Sequence, residues 1–292
     1  MNSNKQPFAW VPTPEDIASA RLTAFIHKTG MPDFDTLAAR ADADPAWLMQ
    51  QVFEFCDFRF YKPYTQMLDM SRGIEWSRWC VGGTTNVVLN CLDRHRGTPV
   101  WNQVFLEWEG EDPQQRRTLT YAQFDAEVCR LAAALQSLGV QRGDRVGLYM
   151  PNLPETFIAF FAVLKIGAIL MPLFSGFGPQ PIVSRLNDGQ AKVVLTVDGT
   201  WRRGTPGQMK SVLDEALVDV PSVQHVLVLR HLGDAIVCPM TPGRDHDWAS
   251  LVAQQPSDLP TAEMAADDAA ILLYTSGTTG KPKGCILSNT YF

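Results

Sequence analysis

The residues best suited to chemistry form one run near the end of the 292-residue sequence, Thr275 to Lys281, TSGTTGK. Each is a hydroxyl residue, a glycine or a lysine, and the run follows an apolar segment, Ala269 to Tyr274, that predicts a buried strand. Glycines let the backbone approach an anion and adopt positive φ, hydroxyls donate hydrogen bonds, and Lys281 and Lys283 add positive charge. The run therefore predicts a loop that binds phosphate.

Two other interpretations of this loop can be tested on the sequence. A P-loop requires GxxxxGK followed by Ser or Thr, but Thr275 stands five residues before Gly280 and Pro282 replaces the hydroxyl residue. A Gly/Ser/Thr turn without a ligand is common, yet seven consecutive residues of this kind after a buried strand are typical of an anion site. A phosphotransferase with an unusual anion loop stays open as another enzyme class, and it would transfer phosphate without releasing AMP.

The elements around the loop predict how it is positioned. From Thr118 onward, apolar helical repeats alternate with short apolar runs, and Thr120 with Gln123 forms a capping-box signature. This order predicts an α/β fold with a doubly wound, mostly parallel sheet and helices on both faces, so ligand loops belong at the carboxyl ends of the strands. We predict strands at 146–150, 168–173, 192–197, 226–229 and 269–274, and helices at 120–138, 155–166, 179–188 and 209–218.

We predict that residues 1–97 form an irregular segment of helices and extended chain. Residues 98–292 are predicted to be the N-terminal part of a nucleotide-binding domain. One helix is expected from Thr13 or Pro14 through Phe25, and a second is capped by Asp44 before Pro45. The remaining predictions are a solvated turn at Glu107, Glu109, Glu111 and Asp112, a loop at 198–207, and a polar stretch at 231–268 with one short helix near Trp248.

Composition excludes several classes of function. A formal charge of −6 and a pI near 5.4 argue against a general nucleic-acid surface. Six scattered cysteines without a CxxC pair favour reduced thiols in the cytoplasm, and the N-terminus lacks the apolar core of a secretory signal. The apolar segment Phe157 to Phe174 carries Lys165 at its centre and Pro172 near its end, which favours a buried helix and strand over a membrane span.

One family pattern runs through the sequence. YTSGTTGKPKG, Tyr274 to Gly284, resembles the signature loop of the adenylate-forming superfamily, and LTYAQF (119–124) and VLKIGAILMPLFSGF (163–177) match weaker motifs of that family in the same order. NCLDRH (90–95) and GVQRGDRVGLYMPNLPE (139–155) are similar to the acetyl-CoA and propionyl-CoA synthetase branch, whereas WVPTPEDI (10–17) resembles acetoacetyl-CoA synthetases.

The resemblance implies a two-step reaction. A carboxylate attacks the α-phosphate of ATP to give an acyl-adenylate, and the thiol of CoA then takes the acyl group; Mg²⁺ accompanies the nucleotide. It assigns the ATP phosphates to Thr275, Ser276, Gly277, Thr278, Thr279, Gly280 and Lys281, and the phosphates of CoA to Arg202 and, more weakly, Arg203. Thr205 departs from the family pattern, which often has a second basic residue there.

The resemblance also implies an incomplete enzyme. In the family, the acyl pocket, the metal-binding glutamate and the lysine that promotes adenylation lie after the phosphate loop, so no catalytic residue is identified here and the chain alone is expected to be inactive. The alternative is a non-catalytic module that binds nucleotide or CoA. The sequence leaves open which short-chain carboxylic acid is used and whether the protein is a homo-oligomer.

Overall fold

A computed structural model describes residues 9–112, 114–202, 204–275 and 282–290. The chain divides into two compact units. One comprises the residues up to Arg59 together with Gln66–Arg78, and the other comprises Phe60–Thr65 and the chain from Trp79 onward. The domain boundary expected after residue 97 stays a prediction.

The helices and strands have the following bounds. The α-helices are α1 Pro14–Ser19, α2 Arg21–Thr29, α3 Phe34–Ala43, α4 Pro45–Cys56, α5 Val87–Cys91, α6 Tyr121–Ser137, α7 Pro154–Lys165, α8 Pro179–Gly189, α9 Met209–Leu217 and α10 Trp248–Ala253. The strands are β1 Gln66–Asp69, β2 Arg78–Val81, β3 Thr84–Thr85, β4 Val104–Glu109, β5 Arg116–Thr120, β6 Arg145–Tyr149, β7 Ile169–Pro172, β8 Val193–Val197, β9 Thr200–Arg202, β10 Thr205–Gly207, β11 His225–Leu229, β12 Asp245–Asp247, β13 Met264–Ala265, β14 Ala269–Thr275 and β15 Lys283–Ser288.

The first unit is built from short capped helices. Asp44 accepts a hydrogen bond from the amide of Trp47 and starts α4, as predicted. The single helix expected from Thr13 through Phe25 is wrong, because Ala20 has extended backbone dihedrals and separates α1 from α2. Helix α3, which Asp33 caps through the amide of Thr36, was not predicted.

The second unit is organised by one sheet. Among the described residues, seven strands form it in the order β12-β11-β8-β6-β7-β14-β15. All neighbouring pairs are parallel except β14 with β15, which is antiparallel. Helix α6 packs with α7 and α10, while α8 packs with α9. The predicted α/β class with a mostly parallel sheet is confirmed.

Local sequence explains the central elements of this unit. Thr120 and Gln123 form the predicted capping box at the start of α6. Every residue of β8 is buried, as expected for a β-branched strand covered on both faces. The apolar segment 157–174 divides into α7 and β7 with Gly167 between them at positive φ. In the part of the chain that the structure describes, no helix is long and apolar enough to cross a membrane.

Several expected loops contain strands. The stretch 198–207 forms the antiparallel β9–β10 hairpin, and 231–268 contributes β12 to the edge of the sheet in addition to the predicted helix near Trp248. Glu107 and Glu109 lie in β4, which pairs with β5, and so do not belong to a solvated turn. Strands β9, β10 and β12 have only three residues each, so their local pattern is weak, and β12 joins the sheet by pairing with the more distant β11.

Candidate functional site

A cavity lies at the carboxyl ends of two adjacent strands. The connection that leaves β6 leads to β7 on one side, whereas the connection that leaves β8 leads to β11 on the other side. A crevice at such a switch point is where open α/β sheets bind ligands. The cavity has a volume of about 400 Å³, and its lining includes Pro151 and Asn152 after β6, Thr200 and Trp201 after β8, and Trp108 of β4.

A second cavity, of about 280 Å³, contains the predicted CoA-binding residue. Arg202, Trp201 and Thr200 line it together with Pro151 and the segment 174–176. Arg202 is the last residue of β9 and is exposed. Its guanidinium presents several N–H donors in one plane and can pair with phosphate oxygens. Arg203 lies outside the described residues.

A buried carboxylate fixes the start of the hairpin that carries Arg202. Asp198 is 1% exposed. Its Oδ1 accepts hydrogen bonds from the amides of Gly199, His231 and Leu232, and its Oδ2 accepts one from the amide of Gly233, all between 2.7 and 3.0 Å. The carboxylate thereby ties the end of β8 to the turn after β11, and the cavity wall has a rigid base.

The described ends of the predicted phosphate loop lie in an antiparallel pair. Thr275, the last residue of β14, is paired with Lys283, the first residue of β15, and both are exposed. Because β14 runs parallel to β7, Thr275 lies at the carboxyl end of the sheet. The residues Ser276, Gly277, Thr278, Thr279, Gly280 and Lys281 lie outside the described residues.

The described residues of the two predicted substrate regions, Arg202 and Thr275, lie at or after the ends of different strands of the sheet. Strands β6 and β7 lie between β8, which leads to Arg202, and β14, which ends at Thr275. Thr275 is not among the residues that line the Arg202 cavity. Both regions face the same edge of the sheet, as the doubly wound prediction requires.

Sequence reasoning missed most of the cavity wall. Trp108 donates a hydrogen bond from Nε1 to the carbonyl of Asn152 over 2.7 Å, and Trp201 is 38% exposed. Glu109 and Glu111, which the sequence placed in a solvated turn, line the larger cavity. The one available signal was Gly204, which lies between β9 and β10 and has the positive φ that favours glycine in a turn.

Two protein-family models match this sequence. The family described as "AMP-binding enzyme" matches residues 94–292, and that described as "Acetyl-coenzyme A synthetase N-terminus" matches residues 34–91. The first match covers more than half of the chain. The chain belongs to the AMP-binding enzyme family.

Several proteins related to this AMP-binding chain carry the same description. Acetyl-coenzyme A synthetase of Syntrophus aciditrophicus is 45% identical over 212 residues, which are 72% of this chain and 32% of that protein. Acetyl-coenzyme A synthetase of Chlorobaculum tepidum is 36% identical over 275 residues, 94% of this chain and 40% of that protein. The resemblance to the acetyl-CoA synthetase branch is confirmed.

The fold of the AMP-binding chain is also similar to that of a solved structure. Acetoacetyl-CoA synthetase from Streptomyces lividans has a TM-score of 0.83 and 26% identity, and the match covers 96% of this chain. It covers 43% of the Streptomyces chain. The AMP-binding chain thus spans well under half the length of these relatives.

Proposed function

We propose that this chain is the N-terminal part of an ATP-dependent short-chain acid–CoA ligase that forms an acyl-adenylate and then an acyl-CoA thioester. The observation that carries the proposal is the position of Thr275 and Lys283, which bracket the signature loop at the carboxyl edge of the sheet. The loop would bind the ATP phosphates through Thr275 and through Ser276, Gly277, Thr278, Thr279, Gly280 and Lys281. The domain boundary after residue 97 and the cytoplasmic location belong to this proposal.

The first step brings two anions together, so its difficulty is mainly one of positioning and charge. Backbone amides and hydroxyls of the loop would orient the phosphates, and the ammonium group of Lys281 would offset their charge. Among the residues that the structure describes, no group of three or more His, Cys, Asp or Glu side chains is placed to hold a metal ion. As the family resemblance implies, Mg²⁺ would enter with the nucleotide phosphates, which are among its usual ligands.

The second step requires CoA, and Arg202 is the proposed contact for its phosphates. The guanidinium is exposed and lines a cavity whose other walls include Trp201 and Phe174. Arg203 is the weaker candidate. A positive group beside aromatic surface suits a nucleotide that carries extra phosphates.

The proposal predicts different activities for two forms of the protein. The purified 292-residue chain should give no carboxylate-dependent exchange between ATP and pyrophosphate, because the family's acyl pocket and adenylating lysine are expected beyond it. The protein extended to the length of its acetyl-CoA synthetase relatives should give exchange. Exchange by the 292-residue chain alone would contradict the first statement, and its absence from the extended protein would contradict the second.

Lys281→Ala in the extended protein tests the role of the loop. Loss of one charge-assisted contact that acts in the transition state should lower the exchange rate about 100-fold. Thermal unfolding should be unchanged. Lys28→Ala, which removes an ammonium group from α2, is the matched control and should exchange like the parent protein. An unchanged rate in Lys281→Ala removes the loop from the mechanism.

The second candidate is a CoA-binding module without catalysis, which the cavity around Arg202 favours. Calorimetric titration of the 292-residue chain with CoA and with ATP separates the two functions. Binding of CoA that Arg202→Ala weakens supports a module, whereas an incomplete enzyme should bind neither ligand tightly.

A further inference from the structure

Strand β14 is attached to helix α8 directly before the signature loop. The phenol of Tyr274 donates a hydrogen bond to Oδ2 of Asp188 over 2.7 Å. Asp188 lies in the last turn of α8. Burial and the Asp188 carboxylate raise the pKa of Tyr274, so the phenol keeps its proton and remains a donor at neutral pH.

Helix α8 also contacts Phe177, which directly follows the segment 174–176 that lines the Arg202 cavity. Arg185 lies one turn before Asp188, and its Cζ is 4.4 Å from the ring centroid of Phe177 and 5.8 Å from that of Tyr274. The carbonyl of Phe177 accepts a hydrogen bond from Tyr149 at the end of β6. One face of α8 therefore joins β14 to the segment that follows β7.

The partner of Tyr274 across the antiparallel pair has no side chain. Gly284 pairs directly with Tyr274. A Cβ atom at Gly284 would lie 3.0 Å from Leu272 Cδ1, 3.5 Å from Tyr274 Cε1 and 3.8 Å from Asp188 Oδ2. The glycine leaves room for the tyrosine side chain to extend to α8.

The residues in these contacts are bonded to the two residues that flank the signature loop. Thr275 is bonded covalently to Tyr274, and Lys283 is bonded covalently to Gly284 and paired with Thr275. We propose that Asp188 is a positioning residue for nucleotide binding: through Tyr274 it holds the β14–β15 edge of the sheet, and with it Thr275 and Lys283, against helix α8. The proposal rests on the proposed function, and Asp188 itself has no contact with the nucleotide in this role.

A double-mutant cycle in the extended protein tests the coupling. Asp188→Ala and Tyr274→Phe should each raise the KM for ATP in the exchange reaction about three- to tenfold, the net value of one ordinary intramolecular hydrogen bond. The double variant should be no worse than Tyr274→Phe, because both changes remove the Tyr274–Asp188 bond and Tyr274→Phe also removes the 3.4 Å contact of the phenol with the carbonyl of Arg185. Asp188→Asn should restore the KM, since its amide oxygen still accepts from the phenol.

Glu215→Ala is the matched control, because it removes an exposed carboxylate from the neighbouring helix α9. It should leave the KM for ATP unchanged. Unchanged KM values in Asp188→Ala and Tyr274→Phe, or losses that add in the double variant, overturn the positioning role.

Hydrogen exchange of the 292-residue chain without nucleotide tests the attachment by itself. Amides of 271–275 and 283–287 should exchange faster in Asp188→Ala and Tyr274→Phe than in the wild type, while amides of β6 and β8 should not change. Equal exchange in all forms overturns the proposal. If the extended protein shows no ATP–pyrophosphate exchange, the proposed function fails, and hydrogen exchange still decides whether Asp188 holds β14.

Discussion

At the residue scale, Lys165 shows how a charge can lie in the core of this protein. Its side chain has no exposed surface, and its ammonium lies 2.9 Å from Oγ1 of Thr261, 3.3 Å from Asp93 and 3.6 Å from Asp125. Burial raises the pKa of Asp125, and the charges of Lys165 and Arg96 oppose that rise. A cluster of this kind is satisfied only while all its members are present.

Lys165→Met tests the cluster. Removal of the ammonium leaves Asp125 and Asp93 with less compensation, so the free energy of unfolding should fall by about 3 kcal/mol in urea denaturation. Lys192→Met is the control, since Lys192 pairs with Asp144 at 2.9 Å but is 25% exposed. It should cost about 1 kcal/mol or less. Equal losses in the two variants would contradict a special cost of burial.

The sequence predicts that Lys165 is buried but does not predict which residues pair with it. A lysine in the middle of an apolar segment favours a buried helix and strand, and this segment forms α7 and β7. The partners of the lysine could not be predicted, because Thr261 lies 96 residues away in a stretch without periodicity. Residue types led to the prediction of a phosphate loop, which stays a prediction. The cavity around Arg202 depends on Phe174 and the larger cavity on Trp108, and these residues come from different parts of the chain.

At the element scale, the β9–β10 hairpin depends on contacts that lie outside it. Its two strands have three residues each, too few to be stable alone. Asp198 accepts four backbone hydrogen bonds at its base, three of them from the turn at residues 231–233. The local sequence 198–207 is that of a loop, and the bonds from the turn to Asp198 anchor the start of the hairpin that it forms.

Asp198→Ala should therefore disturb the hairpin. The variant leaves four partly or fully buried amide groups without their acceptor, and the free energy of unfolding should fall by at least about 2 kcal/mol. Amides of β9 and β10 should exchange faster with solvent. Asp234→Ala changes an exposed carboxylate in the same turn and serves as the control. Unchanged exchange at β9 and β10 would show that Asp198 does not hold the hairpin.

The elements differ in how far the sequence predicts them. Helix α6 and strand β8 were predicted because a capping box with apolar repeats and a continuous β-branched run are local signals. Strand β12, with the sequence DHD, carries no local β signal and joins the sheet by parallel pairing with β11. The register of β15 against β14 is likewise set by pairing across the loop.

At the scale of the whole molecule, stability should depend on pH in two windows. Burial, then the charges of His246 and Lys192, lower the pKa of His225 from 6.5, and its Nδ1 lies 3.1 Å from Nε2 of His246. Asp245 is different: burial alone would raise its pKa, but hydrogen bonds from Arg244 and Lys210 lower it below 3.8. The neutral histidine and the ionised carboxylate are the forms that the folded state favours.

The signs of the two contributions follow from linkage. The stability from neutral His225 is complete above pH 6.5 and is lost as the pH falls from 6.5 toward the lowered folded pKa, because the unfolded chain binds the proton first. The stability from Asp245 is complete above pH 3.8 and is lost as the pH falls below that value through the folded pKa. The histidine window alone lies in the range of cellular pH.

His225→Gln isolates that window. The urea midpoint of the wild-type chain should fall between about pH 7 and pH 5.5, and the slope should be smaller in His225→Gln, which cannot be protonated but can still hydrogen-bond His246. His27→Gln, at an exposed position of α2, should keep the wild-type slope. The decline below pH 3.8 should persist in both variants, since Asp245 remains. If the urea midpoint of His225→Gln fell with pH as steeply as that of the wild type, the loss of stability below pH 7 would be due to other groups. Acid unfolding would then not start at the sheet edge formed by β11 and β12.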